Sequence, residues 1–206
     1  MFTAEMARQW IKESAKKIES NKEQLTDLDQ VLGDGDHGLN MTRGFKAAVE
    51  QLNEETDEPG KVLKAVGTSL LSKIGGASGP LYGTLFMKAE NQLEGTEVQI
   101  SDLSSSLRVG VDGMKKRGKA EREEKTMVDL LEPVIELMEE KGNELTPAHL
   151  IDKAKEALEH VKEYEAKKGR AAYYKEKSKG KQDAGAQSSY YLIESLATVL
   201  DKDGEA

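Results

Sequence analysis

Three aspartates crowd into one glycine-rich stretch of the sequence. Residues 28–40 read LDQVLGDGDHGLN and place Asp29, Asp34 and Asp36 within eight positions. Carboxylates this close repel one another unless a cation or a set of backbone donors offsets their charge. Mg²⁺ commonly binds one or two carboxylates and completes its shell with water and substrate phosphates. The stretch therefore favours a Mg²⁺ site, with glycines that let the backbone bring the carboxylates together.

The aspartate stretch is also open to two interpretations other than Mg²⁺ binding. A calcium-binding EF-hand fails because, counted from Asp34, Leu39 stands where glycine is needed and Phe45 where the bidentate glutamate belongs. A capped turn is the second alternative, with Asp34 or Asp36 as the N-cap of the following helix. The residues of this stretch alone leave metal binding and capping open.

A second glycine-rich segment, GGASGPLYGT at 75–84, lies just before and inside a predicted helix. Glycines let backbone amides converge on a phosphate, and a helix N-terminus adds partial positive charge. A tight turn that merely needs positive φ angles is the simpler explanation of the same glycines. The sequence contains neither a Walker A motif nor a dinucleotide fingerprint on a βαβ unit.

Two further segments are rich in charge, KRGKAEREEKTMVD at 116–129 and KKGRAAYYKEKSKGKQDAGAQSS at 167–189. A run of charges is usually only a solvated face. Arginine nevertheless grips phosphates in bidentate fashion, so Arg170 is a candidate phosphate ligand. The second segment is long and lacks apolar periodicity, which favours a functional or mobile loop over a plain connection.

Composition excludes several classes of protein. The 206 residues carry a net charge of −8, which argues against a nonspecific nucleic-acid binder. There is no cysteine, so disulfides, thiolate metal sites and a cysteine nucleophile are excluded. The N-terminus lacks a signal-peptide pattern and no apolar run reaches about 18 residues, so we expect a cytoplasmic protein without a membrane segment.

Helical spacing of apolar residues runs through nearly the whole chain, which predicts an all-α domain. Thr146 before Pro147 fits an N-cap followed by a first-turn proline. Eight helices joined by short loops suggest an antiparallel bundle or a closed ring, and the tail at 201–206 is expected to fray. The predicted helices cover residues 4–23, 39–54, 60–74, 79–94, 101–117, 126–141, 146–168 and 185–201.

Several motifs follow one another along the chain in an order that matches a known family. They are LDQVLGDGDHGLNMTRGF at 28–45, GGASGPLYGT at 75–84, RGKAE at 117–121, KTMVD at 125–129, and GRA with QDAGAQSS in the last charged segment. Together they resemble the nucleotide-binding L subunit of bacterial dihydroxyacetone kinase, which also forms the C-terminal domain of single-chain dihydroxyacetone kinases.

The resemblance implies a single domain over residues 1–206, a barrel of eight amphipathic helices that holds ADP or ATP across one rim. It implies that Asp29, Asp34 and Asp36 hold two Mg²⁺ ions that bridge the phosphates. It does not imply a catalytic side chain. The nucleotide-binding residues that it implies are His37, Gly38, Leu39, Asn40, Ala77, Ser78, Gly118, Met127, Arg170, Asp183, Ala184 and Gly185. Met127, on an apolar helix face, would otherwise be taken for core.

The resemblance also implies partners and a reaction. In the family a separate K subunit holds dihydroxyacetone, and the L subunit presents the γ-phosphoryl group to it. In standalone bacterial versions the bound ADP is rephosphorylated in place by the M subunit, a phosphotransferase-system protein. The segments 122–124 and 174–184 depart from the family pattern. The acceptor is therefore left open between dihydroxyacetone and another small keto-sugar, and a regulatory Mg-nucleotide-binding module remains the non-enzymatic alternative.

Overall fold

A computed structural model describes residues 1–204 of the chain, and within them nine α-helices account for most of the structure. Residues 205–206 lie outside the described part. A two-stranded antiparallel sheet pairs Phe2–Thr3 (β1) with Glu97–Val98 (β2). Three 3₁₀ helices cover Glu90–Gln92, Gly142–Glu144 and Arg170–Ser178. The α-helices are Ala4–Ser20 (α1), Lys22–Leu32 (α2), His37–Glu50 (α3), Pro59–Lys73 (α4), Ser78–Ala89 (α5), Ile100–Gly118 (α6), Met127–Lys141 (α7), Pro147–Glu163 (α8) and Ala184–Gly204 (α9).

Eight of these helices form a closed ring, so the predicted all-α fold is confirmed. From α3 to α9 each helix packs on the next one in the chain, and α1 closes the ring between α9 and α3. Apolar faces at helical spacing point into the ring and bury Trp10, Phe45 and Phe86. The indole of Trp10 lies edge-on to Phe86, with centroids 5.5 Å apart, and donates a 2.8 Å hydrogen bond to the Leu192 carbonyl. No helix in residues 1–204 is long and apolar enough to cross a membrane.

The ninth helix, α2, lies outside the ring against α3 and α9, and the sequence prediction missed it. The predicted first helix ends at residue 23, and the prediction treats Asp29 as part of a loop. Asn21 separates α1 from α2. Within α2 only Leu25 and Leu32 are buried. Such a thin apolar stripe is a weak periodic signal, because tertiary packing rather than propensity stabilises short helices.

The last helices also differ from the predicted boundaries. The helix predicted to 168 ends at Glu163, and the segment predicted as a long loop contains the 3₁₀ helix Arg170–Ser178 and the start of α9. Thr146 caps α8 as predicted, because its hydroxyl accepts the His149 amide at 3.3 Å. α9 continues to Gly204, so helix replaces the predicted frayed tail up to that residue, and the rest of that prediction lies outside the described residues.

Candidate functional site

A cavity of about 420 Å³ opens at one end of the ring. Four helices, α3, α5, α7 and α9, begin at this cavity with residues that line it, and the ends of α4 and α6 lie beside them. The first turn of a helix has backbone N–H groups without helical acceptors and carries partial positive charge. Four such N-termini around one cavity make it suitable for an anion with several negative groups.

The three aspartates form one wall of the cavity, the acidic wall. Asp29, Asp34 and Asp36 each offer a carboxylate oxygen, and these oxygens lie within 4.8 Å of one another. Asp29 is half-buried, whereas the other two are exposed. The only arginine paired with this cluster in residues 1–204 is Arg170, which contacts Asp34. Three convergent oxygen ligands with so little compensating charge fit a hard divalent cation such as Mg²⁺.

Backbone hydrogen bonds fix Asp29 within this wall. Its Oδ2 accepts the amides of Asp36 at 2.9 Å and His37 at 3.2 Å, so the end of α2 holds the turn that leads into α3. Asp36 occupies the N-cap position of α3, but its side chain makes no capping hydrogen bond. The capped-turn interpretation therefore does not account for Asp36, because Asp29 binds the amides of the turn instead.

Two glycines of the aspartate stretch are explained by close approach. A Cβ on Gly33 would collide with the Asp29 carboxylate, so a side chain at this position would displace a group of the acidic wall. A Cβ on Gly38 would collide with the Lys22 carbonyl and with Thr26 of α2. Gly38 thus serves the packing of α3 on α2.

A buried polar cluster forms the floor of the cavity behind His37. The Nδ1 atom of His37 lies 3.2 Å from the Ser78 hydroxyl, and Nε2 lies 2.9 Å from the Ser188 hydroxyl. The Tyr82 hydroxyl joins the cluster, 2.8 Å from Ser188 and 2.7 Å from Ser189. Burial lowers the pKa of His37 to about 4, although Asp29 and Asp36 oppose the shift. The ring is therefore neutral near physiological pH, and both nitrogens are held by hydroxyl groups.

The wall opposite the aspartates, the facing wall, is built from the connection 119–126 and the start of α7. Thr126 caps α7, and its hydroxyl accepts the Val128 amide at 3.2 Å. Met127 follows and presents an apolar side chain to the cavity. The Asp129 carboxylate accepts the Thr126 amide at 2.7 Å and also binds the Glu123 amide, which closes the connection on itself.

Lys125 ties the facing wall to α8. Its buried ammonium donates to the carbonyls of Val161 at 2.8 Å, Lys162 at 3.0 Å and Tyr164 at 3.2 Å. These carbonyls lie at the C-terminal end of α8, where a helix has no following amides to satisfy them, and Val161 and Lys162 also accept the amides of Tyr164 and Gly180. The predicted continuation of this helix to 168 was wrong, because α8 ends at Glu163, where Lys125 binds its last carbonyls. Lys125 itself has φ of +60°, so these hydrogen bonds hold a backbone conformation that a lysine rarely adopts.

Asp183 lies at the start of α9, where the last charged segment returns to the cavity. Its Oδ2 accepts the Ala186 amide at 2.7 Å, which caps the helix. Burial raises the pKa of Asp183 to about 6, while the Ala186 hydrogen bond and Lys125 oppose the shift. This carboxyl therefore takes up a proton at a higher pH than an aspartate in water does.

Most of the predicted site residues meet at this cavity. Gly38 and Leu39 do not line it. Leu39 points outward with 52% exposure, although the amides of both residues lie in the first turn of α3. Sequence reasoning missed Lys125, Tyr82 and Ser188 as parts of the site. The predicted residues that line the cavity are Asp29, Asp34, Asp36, His37, Asn40, Ala77, Ser78, Gly118, Met127, Arg170, Asp183, Ala184 and Gly185.

Comparison with known proteins gives a consistent answer. A family model described as the DAK2 domain matches residues 31–198. The chain is 37% identical over 196 residues to the ADP-binding subunit DhaL of PEP-dependent dihydroxyacetone kinase 1 from Listeria innocua, covering 95% of this chain and 96% of that one. It is 39% identical over 197 residues to the ADP-binding subunit DhaL of the PEP-dependent dihydroxyacetone kinase of Escherichia coli, covering 91% and 93%.

A solved structure shares the fold. The dihydroxyacetone kinase from C. freundii, solved in complex with AMP-PNP and Mg²⁺, superposes with a TM-score of 0.75 at 21% identity. The match covers 95% of this chain and 33% of that one, so the chain spans about a third of the larger protein. At this identity the likeness shows the fold of the chain alone.

Proposed function

Because this chain belongs to the DAK2 domain family, we propose that it is the nucleotide-binding subunit of a phosphoenolpyruvate-dependent dihydroxyacetone kinase. In this proposal it is a single cytoplasmic domain over residues 1–206 that holds ADP or ATP with Mg²⁺. A separate K subunit holds dihydroxyacetone, and an M subunit of the phosphotransferase system rephosphorylates the bound ADP.

The observation that carries the proposal is the pairing of an acidic wall with four helix N-termini around one cavity. A nucleotide polyphosphate with Mg²⁺ needs both, because the metal binds carboxylates and the phosphates bind backbone amides. Neither feature alone would select this ligand. An acidic cluster is common on protein surfaces, and a helix N-terminus accepts any anion.

The proposed roles follow from where each group lies. Asp29, Asp34 and Asp36 would hold Mg²⁺, as two ions in the proposal, which would offset phosphate charge and orient the transferred group. Arg170 beside Asp34 would contact the phosphates, and Met127 would pack against the base. The neutral ring of His37, fixed by two serine hydroxyls, shapes the floor beneath them.

No nucleophile is needed from this chain under the proposal. Phosphoryl transfer depends mainly on positioning and on charge stabilisation rather than on covalent chemistry by the protein. The cavity supplies oriented amides, the guanidinium of Arg170 and a carboxylate cluster, and the acceptor group arrives from outside. The cavity opening at the end of the ring, rather than inside it, gives a second protein access to the nucleotide.

Native mass spectrometry followed by reconstitution tests this function. The purified protein should retain one ADP, and the measured mass should give the number of Mg²⁺ ions. With K and M subunits encoded in the same genome, the general phosphotransferase proteins and phosphoenolpyruvate, it should convert dihydroxyacetone to its phosphate. Nucleotide retention without turnover on any small keto-sugar would indicate the regulatory alternative. Absence of nucleotide binding would refute the proposal.

A further inference from the structure

One exposed segment beside the cavity carries a charge opposite to that of the rest of the chain. We call residues 167–181 the basic strap. The strap contains seven lysines and arginines against one glutamate, a net charge of +6, whereas the whole chain carries −8. The remaining residues therefore carry −14. The basic strap thus creates a local positive field on a protein that is negative overall, and such a field attracts anionic partners.

The nucleotide site accounts for only part of this charge. Lys168 and Arg170 line the cavity and pair with Glu124 and Asp34. The other five basic residues do not line the cavity and form no ion pair within residues 1–204, and all five are exposed. They are Lys167, Lys175, Lys177, Lys179 and Lys181. Their charge is available to a partner outside this chain.

The strap is also held in place at both ends, so these lysines are presented by an ordered surface. The Lys167 amide donates to the Glu124 carbonyl at 3.1 Å, and the Gly180 amide donates to the Lys162 carbonyl at 2.8 Å. Between them the buried Ser178 hydroxyl accepts the Ala166 amide at 2.8 Å. Tyr173, near the middle of the strap, is 86% exposed. Tyrosine is one of the residues enriched in binding hot spots.

We infer that the basic strap docks an acidic patch on the protein that exchanges the phosphoryl group with the nucleotide. This inference rests on the proposed function, because it identifies the chemistry of that partner. The strap borders the cavity through residues 168–171, so a protein seated on it covers the opening. A protein surface is favoured over a nucleic acid because the net −14 on the remaining residues repels an extended polyanion.

The test compares two double charge reversals in the reconstituted system. Lys177→Glu with Lys181→Glu changes the strap outside the cavity. Lys88→Glu with Lys155→Glu makes the same charge change at exposed lysines of α5 and α8 that form no ion pair within residues 1–204. At low salt the strap variant should have a kcat/KM about tenfold lower for either the K or the M subunit. The control variant should lose less than about twofold. Both variants should bind Mg-ADP as the unaltered protein does.

Salt and a binding assay complete the design. The difference between the two variants should shrink as ionic strength rises toward about 0.5 M, since surface charges are then screened within a few ångströms. Equal kcat/KM for strap and control variants would overturn the inference and leave the proposed function intact. Strap-dependent binding of the K or M subunit without phosphoryl transfer would refute the proposed function and would support only the docking of an acidic partner on the strap. Failure to bind either subunit, or strap-dependent binding only to a DNA oligonucleotide or to phosphatidylserine vesicles, would overturn the inference.

Discussion

The two walls of the cavity use charge in opposite ways. In the acidic wall three carboxylates converge, and two of them, Asp34 and Asp36, are exposed. In the facing wall the charged groups are already satisfied by the protein. Lys125 is saturated by three carbonyls, and Asp129 is bound by backbone amides and the Thr126 hydroxyl.

This difference separates binding from stability. Like charges held close together raise the free energy of the folded protein, and Arg170 with two backbone amides offsets only part of this repulsion in the acidic wall. Charges that cap helices or close a connection lower that free energy, and removing one leaves buried partners unpaired. Substitutions in the acidic wall should therefore weaken ligand binding with little loss of stability. Substitutions in the facing wall should do the reverse.

Asp36→Asn should give the largest effect, on binding. The loss of one charged metal ligand should weaken Mg-ADP binding by at least about 100-fold, or about 3 kcal/mol. The unfolding free energy without nucleotide should stay within about 0.5 kcal/mol or rise, because repulsion in the cluster is relieved. Titration calorimetry and urea unfolding measure the two quantities. The matched control is Asp152→Asn on the exposed surface of α8. Full ADP binding by the Asp36 variant at physiological Mg²⁺ would contradict the assignment.

Lys125→Met should reverse that pattern. The substitution removes three hydrogen bonds from a charged group to the end of α8, and with them the contacts that hold the strained backbone at residue 125. We expect the unfolding free energy to fall by about 2 kcal/mol, as for other lost hydrogen bonds to charged groups. Lys155→Met, on the exposed face of α8, is the control and should be nearly neutral. If Lys125→Met lost ADP binding while keeping its urea midpoint, the facing wall would be part of the binding machinery instead.

Asp183→Asn tests a carboxyl that belongs to neither the acidic wall nor the facing wall. Its pKa is raised to about 6 by burial, so between its ordinary value and pH 6 the folded protein binds more protons than the unfolded chain. Stability from this group is therefore lost as pH rises through that window. Asparagine caps helices as well as aspartate does. The variant should match the unaltered protein near pH 4 and exceed it by about 1 kcal/mol near pH 7.5. Thermal unfolding of the nucleotide-free proteins at both pH values measures this, and a constant difference would contradict it.

The sequence predicted the acidic wall better than the facing wall, for a physical reason. Asp29, Asp34 and Asp36 are close in sequence, so their convergence depends on local backbone and glycines. Lys125 acts through carbonyls of residues 161–164, and this contact spans more than thirty positions that no local pattern reports. The resemblance supplied the residues of the cavity, but it gave no reason for the end of α8.

The fold shows the same limit of sequence-based prediction, in the contrast between the eight ring helices and α2, which lies outside the ring. The eight ring helices carry clear apolar faces and were predicted, with errors at their ends. α2 buries only Leu25 and Leu32, so its helical nature follows from packing on α3 and α9. Gly38 is one of the glycines of the aspartate stretch, and the structure shows that it also allows α2 and α3 to approach closely. The contacts that stabilise an exposed helix such as α2 come from neighbouring helices, so the spacing of its own apolar residues does not reveal them.

The smallest expected effect lies in the ion pairs at the outer edge of the facing wall. Arg122 is half-exposed and pairs with Glu136 at 3.0 Å, whereas the mostly buried Glu132 lies 3.8 Å from it and keeps Lys115 at 3.0 Å. Arg122→Ala should thus lower the unfolding free energy by less than about 0.5 kcal/mol, and less still in high salt. Lys115→Ala should cost more, about 1 kcal/mol, because it takes the nearest cation from a buried carboxylate. Urea unfolding of both variants decides the order. A larger loss of unfolding free energy for Arg122→Ala than for Lys115→Ala would mean that exposed ion pairs also stabilise the facing wall. The contrast with the acidic wall would then rest on Lys125 alone.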